Sequence, residues 1–253
     1  MVETVVILFV ALLLGIIQFG LIYNAKTTLN YAAFEAARVG ALNFADRTSI
    51  EYGLARGLSP LYTSVTKADG RLDTVKKVQS ARDRVFDEIE DGEFVCIERV
   101  NPDRSAFVAY GVPDSTGNFP GEQLIPNDHL LYRSALVKGA TTVSIQDANL
   151  LKLRVTYCYP MYVPFISNTV KRLYGLMYDP RPSTTRLTPA GSFQRNCLEK
   201  DRFPIVAQAV IGMQTPVRND DFPRTVAECA GRGRQALARA RVVGGQVLAP
   251  RCR

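Results

Sequence analysis

One stretch decides most of what this chain can become. From Thr4 to Tyr23 it reads TVVILFVALLLGIIQFGLIY, with Gln18 its one strongly polar residue. About twenty residues of helix reach about 30 Å, the thickness of a bilayer core. A buried core helix of that length would carry a polar stripe, and none is present. A cleaved secretory signal would be shorter, with a basic flank in front and a small-residue cleavage site behind. Here the first cation after the amino terminus is Lys26. The stretch is therefore expected to reside in a membrane.

The side of the membrane is set by two opposed signals. Lys26 and Arg38 would hold the downstream part in the cytoplasm by the positive-inside rule. The five cysteines, with no CxxC or Cys/His spacing, instead suit disulfides in an oxidising compartment. The two signals agree if Met1 is a mature terminus from which a basic leader has been removed, and that is the expectation adopted. Glu3 is the only charged side chain before Lys26. It either sits in the headgroup layer or offsets a positive amine, its own or a neighbouring chain's.

The apolar run continues without a proline through NAKTTLNYAAFEAARVGAL. Ala25, Leu29, Ala32, Ala33, Ala36 and Gly40 recur at three- and four-residue steps, a narrow face of small residues on one helix. Such faces let helices approach closely. The first helix is thus expected from about Val2 to about Phe44, with Lys26, Asn30, Glu35 and Arg38 on its other sides. A plain anchor needs no such second half, whereas a helix that anchors first and then packs against both a domain and other copies does.

Beyond it the composition is that of a globular body. Of 253 residues, 47% are hydrophobic and 22% charged, which excludes disorder and collagen-like repeats. Thr48 or Ser49 is expected to cap a helix with Ile50, Leu54 and Leu58, ended by Ser59-Pro60. Lys67–Gly70 reads as a turn. Asp73 opens a helix carrying Val75, Val78, Arg82, Val85 and Ile89, closed by Asp91-Gly92. Phe94–Glu98 reads as a strand. Asn101-Pro102 reads as a helix start leading to Ala109, and residues 111–128 as loop. Leu151–Tyr159 is the clearest strand, with Leu151, Leu153, Val155, Tyr157 and Tyr159 on one face. A short helix over 166–177, a loop over 179–192 and a strand over Ile205–Met213 complete the body. The fold class is α+β: a long amino-terminal hydrophobic helix, then a globular head with an antiparallel sheet and short helices. Three segments are expected, 1–45 as the long helix, 46–217 as the head and 218–253 as a basic tail. From Arg224 onward seven arginines face one acid, Glu228, so most of the net charge of +7 lies in the tail.

No catalytic constellation is visible. GxSxG, GxxxxGK[ST], HExxH and GxGxxG are absent, and a single histidine, His129, argues against a histidine-rich metal site or triad. The pairs Asp87/Glu88, Glu90/Asp91 and Asp220/Asp221 are sequence neighbours that do not face one another on a helix, and are expected to be solvated. No enzyme activity, cofactor, metal or nucleic-acid partner is expected. For the cysteines, the expected bonds are Cys229–Cys252 and Cys158–Cys197, with Cys96 a buried free thiol. The alternative is that all five are reduced.

The helix with its early glutamate, GIIQFG at 15–20 and YAAFEAARVGA at 31–41 resemble the TadE-like family of the tight-adherence branch of type IV pili. GLARGLSPLY at 53–62, IPND at 125–128, QDANLLK at 146–152 and MQTP at 213–216 extend the resemblance over roughly residues 1–217. It implies a prepilin-like subunit whose leader is removed by a leader peptidase. The subunit would wait in the bacterial inner membrane with its head outside, then enter a surface filament through its first helix. Met1, Glu3 and the small face from Ala25 to Gly40 are the implied assembly residues. Like subunits, other pilins and the pilus machinery are the implied partners. A single-span assembly or binding protein that never polymerises is the alternative.

Overall fold

The computed structural model describes residues 2–63, 71–114, 117–163 and 192–219. Helix α1 spans Val2–Leu42, an unbroken rod of 41 residues and about 60 Å. Nothing in its sequence interrupts it, and it ends at a reversal in which Phe44 and Ala45 both take positive φ, 55° each. That strained corner is held from outside. The Phe44 N–H donates to Thr215 Oγ1 at 2.8 Å, and the Phe44 carbonyl accepts from Arg218 N at 2.9 Å.

Helix α2, Arg47–Tyr62, folds back along α1. Its cap is Asp46, whose carboxylate accepts from Ser49 N at 2.9 Å, so Thr48 and Ser49 lie inside the helix rather than capping it. The helix also runs through Pro60 to Tyr62. Proline there removes one donor near the helix end, which is tolerated where its neighbours are held by α1 and α3. Helix α3, Arg71–Asp91, packs on α2 and ends at Gly92, φ 63°. Ala81, Val85 and Ile89 are buried, whereas Val75 and Val78, expected on the same packed side, are exposed. The expected turn at 67–70 lies outside the described residues.

Strand β1, Val95–Asn101, leads into helix α4, Arg104–Tyr110. The cap of α4 is Asp103, which accepts from Ala106 N at 2.9 Å, and not Asn101. Asn101 precedes a cis proline and instead donates to the carbonyls of Asp147 and Leu150. The expected loop at 111–128 contains two short strands, β2 (Val112–Pro113) and β3 (Gln123–Ile125). A one-turn helix α5, Ile145–Ala148, precedes the central strand β4, Leu150–Pro160. Helix α6, Ser192–Glu199, then β5, Arg202–Gly212, and β6, Val217–Arg218, follow.

The main sheet is antiparallel in the order β1–β4–β5, with Val155 opposite Ile97 on one side and Ala207 on the other. A second antiparallel sheet has the order β2–β3–β6. Leu151, Leu153, Val155 and Tyr157 face α1 and α2 and form one core with them. The opposite face carries Cys96 and Cys158, covered by Phe193 and Cys197 of α6. Cys197 therefore sits on a helix, where a loop residue was expected. The architecture is α+β as the patterning requires. The expected helix at 166–177 and the tail from residue 220 fall outside the described residues.

Candidate functional site

Helix α1 is the feature to which the functional expectations attach, and its two halves differ completely in surroundings. In the first half Val5, Phe9, Leu12, Leu13, Ile16, Ile17 and Phe19 are all exposed. The helix over Glu3–Leu42 is long and apolar enough to cross a membrane. Glu3 lies in its first turn and is exposed, and Met1 falls outside the described residues.

Gln18 is the exception in that half. It is 1% exposed, and its Oε1 accepts from Val163 N at 3.0 Å. Among the described residues its Nε2 has no hydrogen-bond partner. The chain leaving β4 thus touches the apolar half at this amide. The sequence showed the signal, a lone amide in an apolar run, but not the partner.

From Ala25 onward the small face closes. Ala25, Leu29, Ala32, Ala33 and Ala36 are 0% exposed, and Gly40 is buried too. Gly53 and Gly57 of α2 oppose them. A Cβ placed on Gly57 would lie 2.5 Å from Ala32 Cα, and one on Gly53 3.0 Å from Ala36 Cα. A Cβ on Gly40 would meet Ile50 at 2.6 Å and Leu151 at 3.1 Å. Two four-residue steps, Gly53/Gly57 and Ala32/Ala36, let the α1 and α2 backbones touch. The alanine half of this contact was legible in the sequence. Its glycine half was equally present at four-residue spacing and was missed.

The small face is thereby used inside the subunit. In this chain it binds α1 to its own head, one of the two contacts expected of it, and Ala25, Leu29, Ala32, Ala33 and Ala36 are left with no exposed surface. The surface left free on the second half runs through Tyr31, Phe34, Arg38 and Leu42.

Charged groups finish the fit. Glu35, expected on a polar side, is buried and pairs with Arg56 of α2. Lys26 Nζ donates to the carbonyl of Val206 on β5. Glu88, expected to be solvated, accepts from Tyr62 OH at 2.5 Å and faces Arg202 at 3.6 Å. Tyr62 OH also lies 2.9 Å from Tyr157 OH. Burial first, then the neighbouring Tyr157 and Glu88, holds the Tyr62 phenol far above its ordinary range. Burial likewise raises Tyr157, with the hydrogen bond to Tyr62 and then Arg202 pulling the other way. These groups tie α2, α3, β4 and β5 together. The guanidinium of Arg202 stacks over Phe94 at 3.5 Å.

Cys158 and Cys197 form a disulfide, Cα–Cα 5.3 Å, which fastens α6 to the outer face of β4. Cys96 is disulfide-bonded as well, which corrects the expectation of a free thiol. The expected Cys229–Cys252 bond falls outside the described residues. Among the described residues no group of three or more His, Cys, Asp or Glu is placed to hold a metal ion.

Residues 1–38 match the family model described as TadE-like protein. No curated protein and no solved structure matches the chain. The matched region comprises the whole exposed half of α1 and most of its alanine face. Together with the apolar amino-terminal helix, the match fits a pilin-like component of a Tad pilus.

Proposed function

We propose that this chain, TadE-like over its first 38 residues, is a structural pilin-like subunit of a Tad-type pilus. The observation that carries the reading is the continuity of α1. One helix without a break supplies both the exposed apolar rod and the central support of the head. A tether that only holds a domain near a bilayer needs no rigid connection. A subunit whose head must be placed by its helix does. In water the exposed first half would be an aggregation hazard. In a bilayer it spans, and in a filament neighbouring helices cover it.

On this reading the subunit waits in the inner membrane with its disulfide-bonded head on the oxidising side, then moves to the cell surface. Glu3 then pairs with a positive chain terminus of a neighbour, because a carboxylate in an apolar bundle is costly without a partner. The test is electron microscopy of sheared surface material with an antibody to the head, combined with intact mass of the subunit. Labelled filaments are expected. A Glu3→Ala chain should still reach the membrane and be lost from the filaments.

The alternative is a single-span assembly or binding protein that does not polymerise. One observation favours it: the small-residue face is occupied by the chain's own head. It predicts that all of the protein stays in the membrane fraction, and that Glu3→Ala changes nothing.

A further inference from the structure

A second apolar surface lies at the opposite end of the head. The loop between β3 and α5 exposes Leu131 at 96%, Tyr132 at 90% and Leu136 at 76%, with Val137 beside them half out. Apolar loop tips in water are ordinarily short of fixed structure, but this one is pinned. Buried Tyr110 donates to the carbonyl of Val143 at 3.0 Å and accepts from Lys138 N at 3.2 Å. Gln146 Nε2 donates to the carbonyls of Leu130 and Arg133 at 3.0 and 2.9 Å. Of the loop's charges, Arg133 grips both oxygens of Asp128 at 2.9 and 3.0 Å, while Lys138, next to Val137, is exposed. That grip holds the Asp128 carboxyl below its usual range. The loop therefore offers Leu131, Tyr132 and Leu136 outward on a preformed backbone, with one lysine at the edge of the patch.

Its place in the fold points to the occupant. Asn149, just after α5, accepts from Met213 N, and the next residue, Gln214, donates to Ala41 at the end of α1. The other end of β4 leads to Val163 at Gln18. Residues 18 and 41 of one helix are about 35 Å apart. The apolar loop and the apolar rod thus sit at opposite ends of the chain. A membrane entered by the rod does not reach the loop. Two different apolar surfaces at opposite ends form a head-to-tail pair, the contact that propagates when its rotation does not close.

We propose that the Leu131–Val137 loop docks a second copy of this chain, on the exposed apolar half of that copy's α1. The inference rests on the pilin reading and names its longitudinal contact. The test replaces Leu131 by the photocrosslinking residue p-benzoylphenylalanine in the full chain within its own cell. It is read together with a Leu131→Asp/Tyr132→Asp double variant. The expected results are a crosslinked dimer whose attachment maps within residues 4–23 of the second copy, and at least a tenfold loss of filaments from the double variant. Both side chains are solvent-exposed, so the head's melting temperature should be unchanged. Crosslinks to lipid or to another head surface, or normal filaments from the double variant, would overturn the inference while leaving the pilin reading intact. No filaments from the unmodified chain would overturn both.

Discussion

The two halves of α1 share one backbone and differ in everything around it. The half below Asn24 carries branched and aromatic side chains on all sides and leaves nearly all of them uncovered. The half above it places alanines on one stripe, and α2 and the sheet close over that stripe completely. Helix formation alone does not separate them, since both halves are helical. The separation comes from side-chain size. Large side chains keep another backbone at a distance, where lipid or several neighbours must fill the space. Alanine opposite glycine lets a single partner approach to backbone contact. One half is left uncovered by its own chain, and the other is covered by it.

If that division is right, damage to the head should destabilise it while leaving the apolar half helical. The largest effect is expected from the Cys158→Ser/Cys197→Ser double variant. The bond closes a segment with a sequence separation of 39. In the chain-entropy picture its loss costs about 4 kcal/mol, a large share of a head's stability. Substitution is preferable to a reductant, because Cys96 is disulfide-bonded too. Urea unfolding in nanodiscs, followed by tyrosine fluorescence, should show the loss. An unchanged midpoint would mean that α6 is held by packing alone.

The next effect comes from two glycines that look alike in sequence. Gly57→Ala drives a Cβ to 2.5 Å from Ala32 Cα, so α1 and α2 must separate. The cost of overpacking, less the gain in helix propensity, leaves a net loss of about 2 kcal/mol. At Gly20 an added Cβ meets nothing within 4 Å, so Gly20→Ala should not weaken the head. Equal effects of the two substitutions on the melting temperature would break the contrast between the halves.

Much of this was legible beforehand, for identifiable reasons. The apolar run, the alanine stripe and the β4 alternation are periodic, and their periods match the elements that formed. The failures are local competitions between near-equivalent signals. Asp46 and Asp103 won the capping positions from Thr48, Ser49 and Asn101 because the chain enters each helix from an extended residue there. Only the tertiary placement of Asp147 and Leu150 reveals what Asn101 does instead. Glu88 reads as one of two adjacent surface carboxylates until Tyr62, 26 residues away, is seen to reach it. The small face showed that something comes close. It did not say whether the partner is the same chain.

The tyrosine pair offers a pH test confined to the head. Tyr62 and Tyr157 have folded-state pKa values raised above the ordinary phenol range, mainly by burial. A raised value means the folded state holds the proton more tightly. That contribution is fully present below the unfolded value of about 10 and is lost as pH rises beyond it. Each tyrosine should add a slope of up to about 1.4 kcal/mol per pH unit above pH 10. The Tyr62→Phe/Tyr157→Phe variant should lose that part of the alkaline slope. A midpoint that falls with pH equally in both proteins would show that these phenols ionise freely in the folded head.

The smallest effect tests where the two halves meet. Gln18 lies within the apolar half by sequence but is buried by the chain after β4. Gln18→Leu removes the acceptor of the buried Val163 N–H, which alone would cost about 1–3 kcal/mol. It also removes the amide's own buried Nε2, which among the described residues has no partner. The two terms oppose, so a net loss of about 1 kcal/mol in head stability is expected. Ile16, two residues earlier, is exposed. Ile16→Ser should change head stability by less than about 0.5 kcal/mol, with its effect appearing only in membrane retention or assembly. A measurable loss at Gln18 and none at Ile16 would place the lower limit of the head at that amide. A loss at both positions would mean that the apolar half supports the head along its length, and the division of α1 into two independent surfaces would fail.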